Sequence, residues 1–313
     1  EPLEHRSGVG GVPFFNLAEH MEPAVLAREL VRMLRSEWLP DYTPAPAAAA
    51  DAYDGWLPGL DDALRAAATP EGELILTFAN LGYADFVLNG FPKAVVPHTL
   101  VIALDAEAHA TFTAAGLVSY FDPNMPAIDG GAHDHRTAAF MDIMKLRLLY
   151  LAEVLLRGYS ALLTDADAVF AAEPFAHFPA DAALSVACDA TVVPRDWAEA
   201  PGMVMAGFFF ARAGPRPIIL IKEILDYQAR HPDQHDQQSF NQILSELLVA
   251  DLSVAVMHPR LFPNGFQYFV KQTVQREGIA PVVVQNNWMM GADNERHRFR
   301  EARLWRLHPN PNP

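Results

Sequence analysis

The sequence predicts an α/β protein built on a mainly parallel sheet with helices over its faces, and three observations lead there. From Glu73 onward short apolar runs alternate with amphipathic stretches, which is the strand–helix–strand rhythm of a covered parallel sheet. The 313 residues are 51% hydrophobic and 19% charged, enough to build a large core and too apolar for a disordered chain. Polar residues capable of chemistry fall just after several apolar runs, and sheets of this kind bind ligands beyond the carboxyl ends of their strands.

Residues 1–70 stand apart as a helical and irregular extension that packs on the main domain of residues 71–313. Within it, Val25, Leu26, Leu30, Met33 and Leu34 recur at three- and four-residue steps, the spacing of one apolar helix face over about 23–38. A Pro/Ala tract follows and reads as a linker or surface wrap.

The main domain opens with a strand at 73–78, a helix over 83–89, a strand at 99–104, a helix over about 106–115 and a strand at 117–120. A Gly-rich loop then carries His133 and His135. His-x-His can ligate a metal, but no third ligand of known geometry accompanies it, and the segment reads as a mobile loop beside the pocket. The apolar helix over 138–157 carries Lys145 and Arg147, and it feeds a strand at 159–164, so one of these cations is expected to face the rim and meet a phosphate.

That strand runs straight into Asp165-Ala166-Asp167. Carboxylates two residues apart in an extended segment point the same way, so at a strand's carboxyl end they can share one divalent cation that holds a diphosphate. The topology places Thr77, Asn80 and Asp105 on the same rim. Further strands are expected at 184–188 and 203–212, then helices over 217–230 and 235–248, with Asp236 and Gln237 in the first turn of the second. Asp at that position also serves as a structural cap. A turn-rich loop at 259–265 precedes a last strand at 281–284, which leads to Gln285.

Charge narrows the functional classes. A formal net charge of −15 repels polyanions, which argues against nucleic acid as a partner and requires an anionic ligand to be met by a local site or a cation. The single Cys188 allows neither an internal disulfide nor a multi-Cys zinc site. No stretch reaches the roughly eighteen uninterrupted apolar residues of a membrane span.

Several motifs in order carry a family resemblance: Thr77-Phe78-Ala79-Asn80-Leu81-Gly82-Tyr83 with Asn89, Val101 to Asp105, Lys145, Thr164-Asp165-Ala166-Asp167, Gly207-Phe208-Phe209, Asp236-Gln237 with Phe240-Asn241, Leu261 to Gly265, and Asn286-Asn287-Trp288 before Arg298-Phe299-Arg300-Glu301 and Leu304-Trp305. From about Leu74 to Trp305 the chain resembles the nucleotide-diphospho-sugar transferases of glycosyltransferase family 77. The resemblance implies a GT-A fold, Rossmann-like, with a mixed and mainly parallel central sheet. It also implies transfer of a sugar of the arabinose, xylose or galactose class, with retention at the anomeric carbon, from a UDP-sugar to a hydroxyl of a glycan or glycoprotein. Residence in the Golgi lumen behind an upstream type II membrane anchor goes with it.

In that reading Mn2+ or Mg2+ is held by Asp167, shared by Asp165 and completed by Gln285. Thr77, Ala79, Asn80, Tyr83 and Asp105 line the nucleoside side, where Asp165 meets the ribose. Lys145 and Arg147 add positive charge, and Ala166, Gly207 and Asn287 complete the donor pocket. Asp236 binds donor-sugar hydroxyls and Gln237 lies near the anomeric carbon. Both a covalent intermediate and a same-face attack assisted by the leaving group are open, with the second preferred.

Two positions depart from the family pattern. Gln285 stands where the family usually has His, and Glu295, or at best the shifted Arg296, stands where a Lys commonly meets the diphosphate. A Gln carbonyl is an oxygen ligand for a hard cation, though neutral. A Glu facing a diphosphate is repulsive, which leaves Arg296, His297 or Arg298 as substitutes. These departures keep two alternatives open, an inactive relative that binds nucleotide sugar or glycan, and a metal-dependent phosphohydrolase.

Overall fold

The computed structural model describes residues 57–122, 138–193, 203–231, 234–247 and 252–307. The helix expected over 23–38, the Pro/Ala tract and the loop with His133 and His135 lie outside the described residues. The first described helix, α1 (Leu60–Ala67), falls within the segment read as an extension. It lays Leu60, Leu64 and Ala67, together with Leu57, into the main core, the three- and four-residue spacing of one helix face.

The strands of the central sheet are β1 (Glu73–Ala79), β2 (Thr99–Ala103), β3 (Val118–Tyr120), β4 (Ser160–Thr164), β6 (Leu184–Cys188), β7 (Val204–Ala211) and β8 (Val254–Val256). A separate two-stranded ribbon pairs β5 (Ala168–Phe170) with β9 (Val283–Gln285). The helices that follow α1 are α2 (Ala84–Gly90), α3 (Ala106–Ala114), α4 (Ala138–Leu156), α5 (Pro215–Arg230), α6 (Asp236–Leu247), α7 (Thr273–Glu277) and α8 (Ala292–Glu301).

Seven strands lie in the order β3-β2-β1-β4-β7-β6-β8. The pairs β3/β2, β2/β1, β1/β4 and β6/β8 are parallel, while β7 is antiparallel to both β4 and β6. Among the described strands of this sheet β7 alone is therefore reversed, which is the mixed, mainly parallel α/β architecture expected from the sequence. Alternation along β1 feeds two cores: Leu74, Leu76 and Phe78 enter the one covered by α1, α4, α5 and α6, whereas Ile75 and Ala79 enter the one beneath α2 and α3. On β7, Phe209 faces the first core and Phe208 and Phe210 the second; full burial contributes about 2 kcal/mol for each ring.

The run at 281–284 does not extend the central sheet. It enters at Val283, ends at Gln285, and pairs antiparallel with β5 through Ala168↔Gln285, Val169↔Val284 and Phe170↔Val283. The close approach of α2 helps to set this ribbon, because a Cβ on Gly90 would fall 1.9 Å from the Ala168 carbonyl oxygen. The carboxylate pair accordingly stands on the turn joining β4 to β5, not at the extended end of a single strand.

Candidate active site

Parallel strands deliver their carboxyl ends to one edge of the sheet. Asn80 follows β1, Asp105 lies two residues beyond β2, Asp165 follows β4, and Asp189 follows β6. The reversed β7 brings its amino end to the same edge, where the Asp189 amide donates to the Met203 carbonyl at 2.8 Å.

Asp165 is fixed from three sides. Its amide donates to the Gly207 carbonyl at 3.0 Å, and Arg147 of α4 reaches Oδ1 through Nη1 at 2.5 Å. Gly207 leaves room for the carboxylate, since a Cβ there would sit 2.1 Å from Oδ2. Of the two cations expected on this helix, Arg147 is thus buried against the rim, and Lys145 is half-buried two residues earlier. Desolvation, with the charges of Asp236 and Asp189, holds the Asp165 carboxyl above its ordinary value against the pull of Arg147. Asp167 is raised well above the usual range, first by desolvation and then by Glu295 and Asp165, with Arg298 opposing.

Helix α6 presents Asp236 and Gln237. Burial works against the Asp236 charge, but His235, Arg147 and the Gln237 backbone together hold its carboxyl below the ordinary value. Gln237 donates from Nε2 to Asp189 Oδ2 at 2.7 Å and accepts from the Ala206 amide at 3.4 Å. Asp189 also accepts from Asn287 Nδ2 at 2.6 Å and Trp288 Nε1 at 2.9 Å. Sequence reasoning missed Asp189, although it follows a strand as Asp165 does. Asn241 clamps α6 to β7 through both the amide and the carbonyl of Val204, each at 2.9 Å.

The residues expected on the nucleoside side cluster at the ends of β1 and β2. Thr77 is fully buried with its hydroxyl unpartnered, and Ala79 and Asn80 are 2% exposed. Asp105 holds the fold together here, because Oδ1 caps α3 at the Ala108 amide, 2.7 Å, and Oδ2 accepts from the Leu81 amide, 2.8 Å, which ties the two strand ends to each other. Tyr83 packs on Phe86 at 5.3 Å, and burial together with the charges of Glu295, Asp167 and Asp165 raises its phenol. Ala166 is buried on the turn between the two carboxylates.

Helix α8 packs on the connection between β1 and α2 and brings Glu295 near the carboxylates. Glu295 is 8% exposed, Oε2 has no hydrogen-bond partner, and desolvation pushes its carboxyl up to about 7. The basic residues expected to replace the family Lys are engaged elsewhere. Arg296 is clasped by both oxygens of Asp85 at 2.6 and 3.0 Å and by the Gly82 carbonyl at 2.9 Å. Arg298 donates to Asn286 Oδ1 at 2.7 Å and to the Asn287 carbonyl at 2.8 Å, and His297 pairs with Glu301 at 3.2 Å. Gln285, 2% exposed, lies across the ribbon from Ala168 with Nε2 unpartnered.

The donor set suits a hard divalent cation. Asp165 and Asp167 are desolvated carboxylates, and the charge of Asp165 raises Asp167, a repulsion that a cation relieves; the orphaned atom of Gln285 is the donor Nε2, so only its Oε1 could ligate. Among the described residues, no three His, Cys, Asp or Glu side chains converge to hold a metal.

The sequence profile of the nucleotide-diphospho-sugar transferases matches residues 94–299. The UDP-galactose:fucoside alpha-3-galactosyltransferase of Dictyostelium discoideum is 29% identical over 198 residues, 56% of this chain and 29% of that protein. A beta-arabinofuranosyltransferase of Arabidopsis thaliana is 23% identical over 270 residues, 79% of this chain and 50% of that protein. The UDP-D-xylose:L-fucose alpha-1,3-D-xylosyltransferase 3 of Arabidopsis thaliana is 26% identical over 200 residues, 58% of this chain and 51% of that protein. The chain spans from under a third to about half the length of these relatives.

Proposed function

Because the chain belongs to the nucleotide-diphospho-sugar transferase family, we propose that it moves a galactose, xylose or arabinose unit from a UDP-sugar to a glycan hydroxyl with retention at the anomeric carbon. The observation that carries this reading is the Arg147–Asp165 ion pair standing beside Asp167 and Asp236 at the carboxyl edge of the sheet.

Asp165 and Asp167, with the Gln285 amide, would hold Mn2+ or Mg2+, which when bound supplies positive charge to the leaving diphosphate. Arg147 orients Asp165, and its Nη2, buried without a partner, is a donor left over for a diphosphate oxygen. Asp236 remains ionised at neutral pH, accepts hydrogen bonds from donor-sugar hydroxyls, and opposes the positive charge that develops at the anomeric carbon. Asp189 fixes the Gln237 amide beside it. The acceptor hydroxyl gives its proton to a diphosphate oxygen on the same face as it attacks, so no protein carboxyl has to serve as base.

A second reading, binding without transfer, is favoured by one observation: Arg296 and Arg298, which could stand in for the family Lys, donate to Asp85 and to Asn286 and Asn287. One experiment separates the two. UDP-galactose, UDP-xylose and UDP-arabinofuranose are each incubated with Mn2+ and with a methyl α-L-fucoside acceptor, chosen because two relatives are named for fucose acceptors. A glycosylated fucoside, formed as UDP leaves one donor, supports transfer. UDP binding with neither product supports the second reading.

A further inference from the structure

Just beyond β9 the chain spends backbone strain to hold an aromatic ring in solvent. Trp288 has φ 63°, a left-handed conformation that a bulky side chain seldom adopts, and is 52% exposed beside Met289 and Met290, at 36% and 71%. A surface Trp held only by chance would be loose. This one is fixed at both ends: Arg298 binds the Asn286 and Asn287 oxygens of its loop, and the indole N–H donates to Asp189. Phe266 supports the ring at 5.8 Å and opens a π-helical turn (Phe266–Val270), a distortion often found at functional sites.

Asp189 accepts from Gln237 as well, so the ring and the residue placed near the anomeric carbon hang on one carboxylate. Asp189 follows β6, which the strand order sets on the far side of Asp165 from β1 and β2, where the proposed function puts the nucleoside. A nucleobase is therefore not the ring this platform meets. A pyranose has one apolar C–H face, and an aromatic face with flexible thioethers around it buries that face while leaving the hydroxyls free.

We propose that Trp288, flanked by Met289 and Met290, is the surface on which the acceptor's terminal sugar ring stacks, on the Gln237 side of the site. This rests on the transferase reading above. The test uses the full chain and its Trp288→Ala and Trp288→Phe variants, with methyl glycosides of fucose, galactose and arabinose as probes. Stacking predicts an acceptor KM raised at least tenfold in Trp288→Ala and rescued to within about threefold in Trp288→Phe, with the donor KM within twofold in both. It also predicts that one glycoside shifts the tryptophan emission of the parent chain and that Trp288→Phe loses this shift. An acceptor KM unchanged in Trp288→Ala, a donor KM that rises with it, or emission indifferent to every glycoside overturns the proposal. A Trp288-dependent emission shift in a chain that shows no transfer upholds the platform and overturns the transferase reading instead.

Discussion

Gly207 lies so close to Asp165 that a single added methyl would meet the carboxylate, 2.1 Å from Oδ2. The glycine sits in the middle of β7, where it weakens the strand, and its place is explained by the side chain it admits. Gly207→Ala is expected to push Asp165 off Arg147 and to cost on the order of 100-fold in kcat, since misplacement by about 1 Å carries that penalty. Steady-state transfer measured beside a thermal melt checks it. Full activity would show that Asp165 need not stay where it is.

Arg147 is the cation that the apolar helix α4 delivers to the rim. Arg147→Ala is expected to raise the donor KM at least tenfold, about 1.4 kcal/mol, and to raise the Asp165 carboxyl further. The cost in stability should be only about 1 kcal/mol, because Asp165 is 41% exposed and water replaces part of the lost partner. Donor kinetics and urea melts on one preparation measure both effects.

The Glu295 carboxyl, displaced from 4.5 to about 7 by burial, is protonated in the folded state at pH values where it ionises in the unfolded chain. The stability it confers is fully present below about pH 4.5 and is lost as pH rises through about 7. Metal-free protein should therefore lose up to roughly 3 kcal/mol from this group over that window. Glu295→Gln should flatten the fall and leave the variant the more stable of the two at pH 8. Melts at pH 5 and pH 8 in chelator decide it, and an equal slope in both proteins would exclude the assignment.

Much of this architecture is legible in the chain because β1, β2 and β4 are mostly apolar, and an acid pair at the end of one of them marks a rim. Asp189 carries the same signal, an acid directly after the run Leu184–Cys188, but it stands alone and so does not stand out. Helix α8 shows in the sequence only as motif residues in a tail. Its residues are dominated by charge, and what defines it is the burial of Glu295, Arg298 and Phe299, which pairing with distant Asn286 and packing on Phe86 provide. The short strands β5, β8 and β9 are three residues each, and partners about seventy or more residues away decide them.

Asp189 gathers Gln237, Asn287 and Trp288 on two oxygens. Asp189→Asn keeps the shape but turns one acceptor into a donor, leaving one of these N–H groups opposed. A loss of about 1–3 kcal/mol in stability is expected, with kcat falling at least tenfold and the donor KM little altered. A larger change in donor KM than in kcat would place Asp189 with the nucleoside and not with the reacting sugar.

The most direct measurement is calorimetric titration of UDP into the protein with and without Mn2+, repeated on Asp167→Ala. Binding that needs Mn2+ and vanishes in Asp167→Ala, while the variant melts as a folded protein, is the expected result. UDP binding of equal affinity without Mn2+, or in the variant, would contradict a cation held at the end of β4.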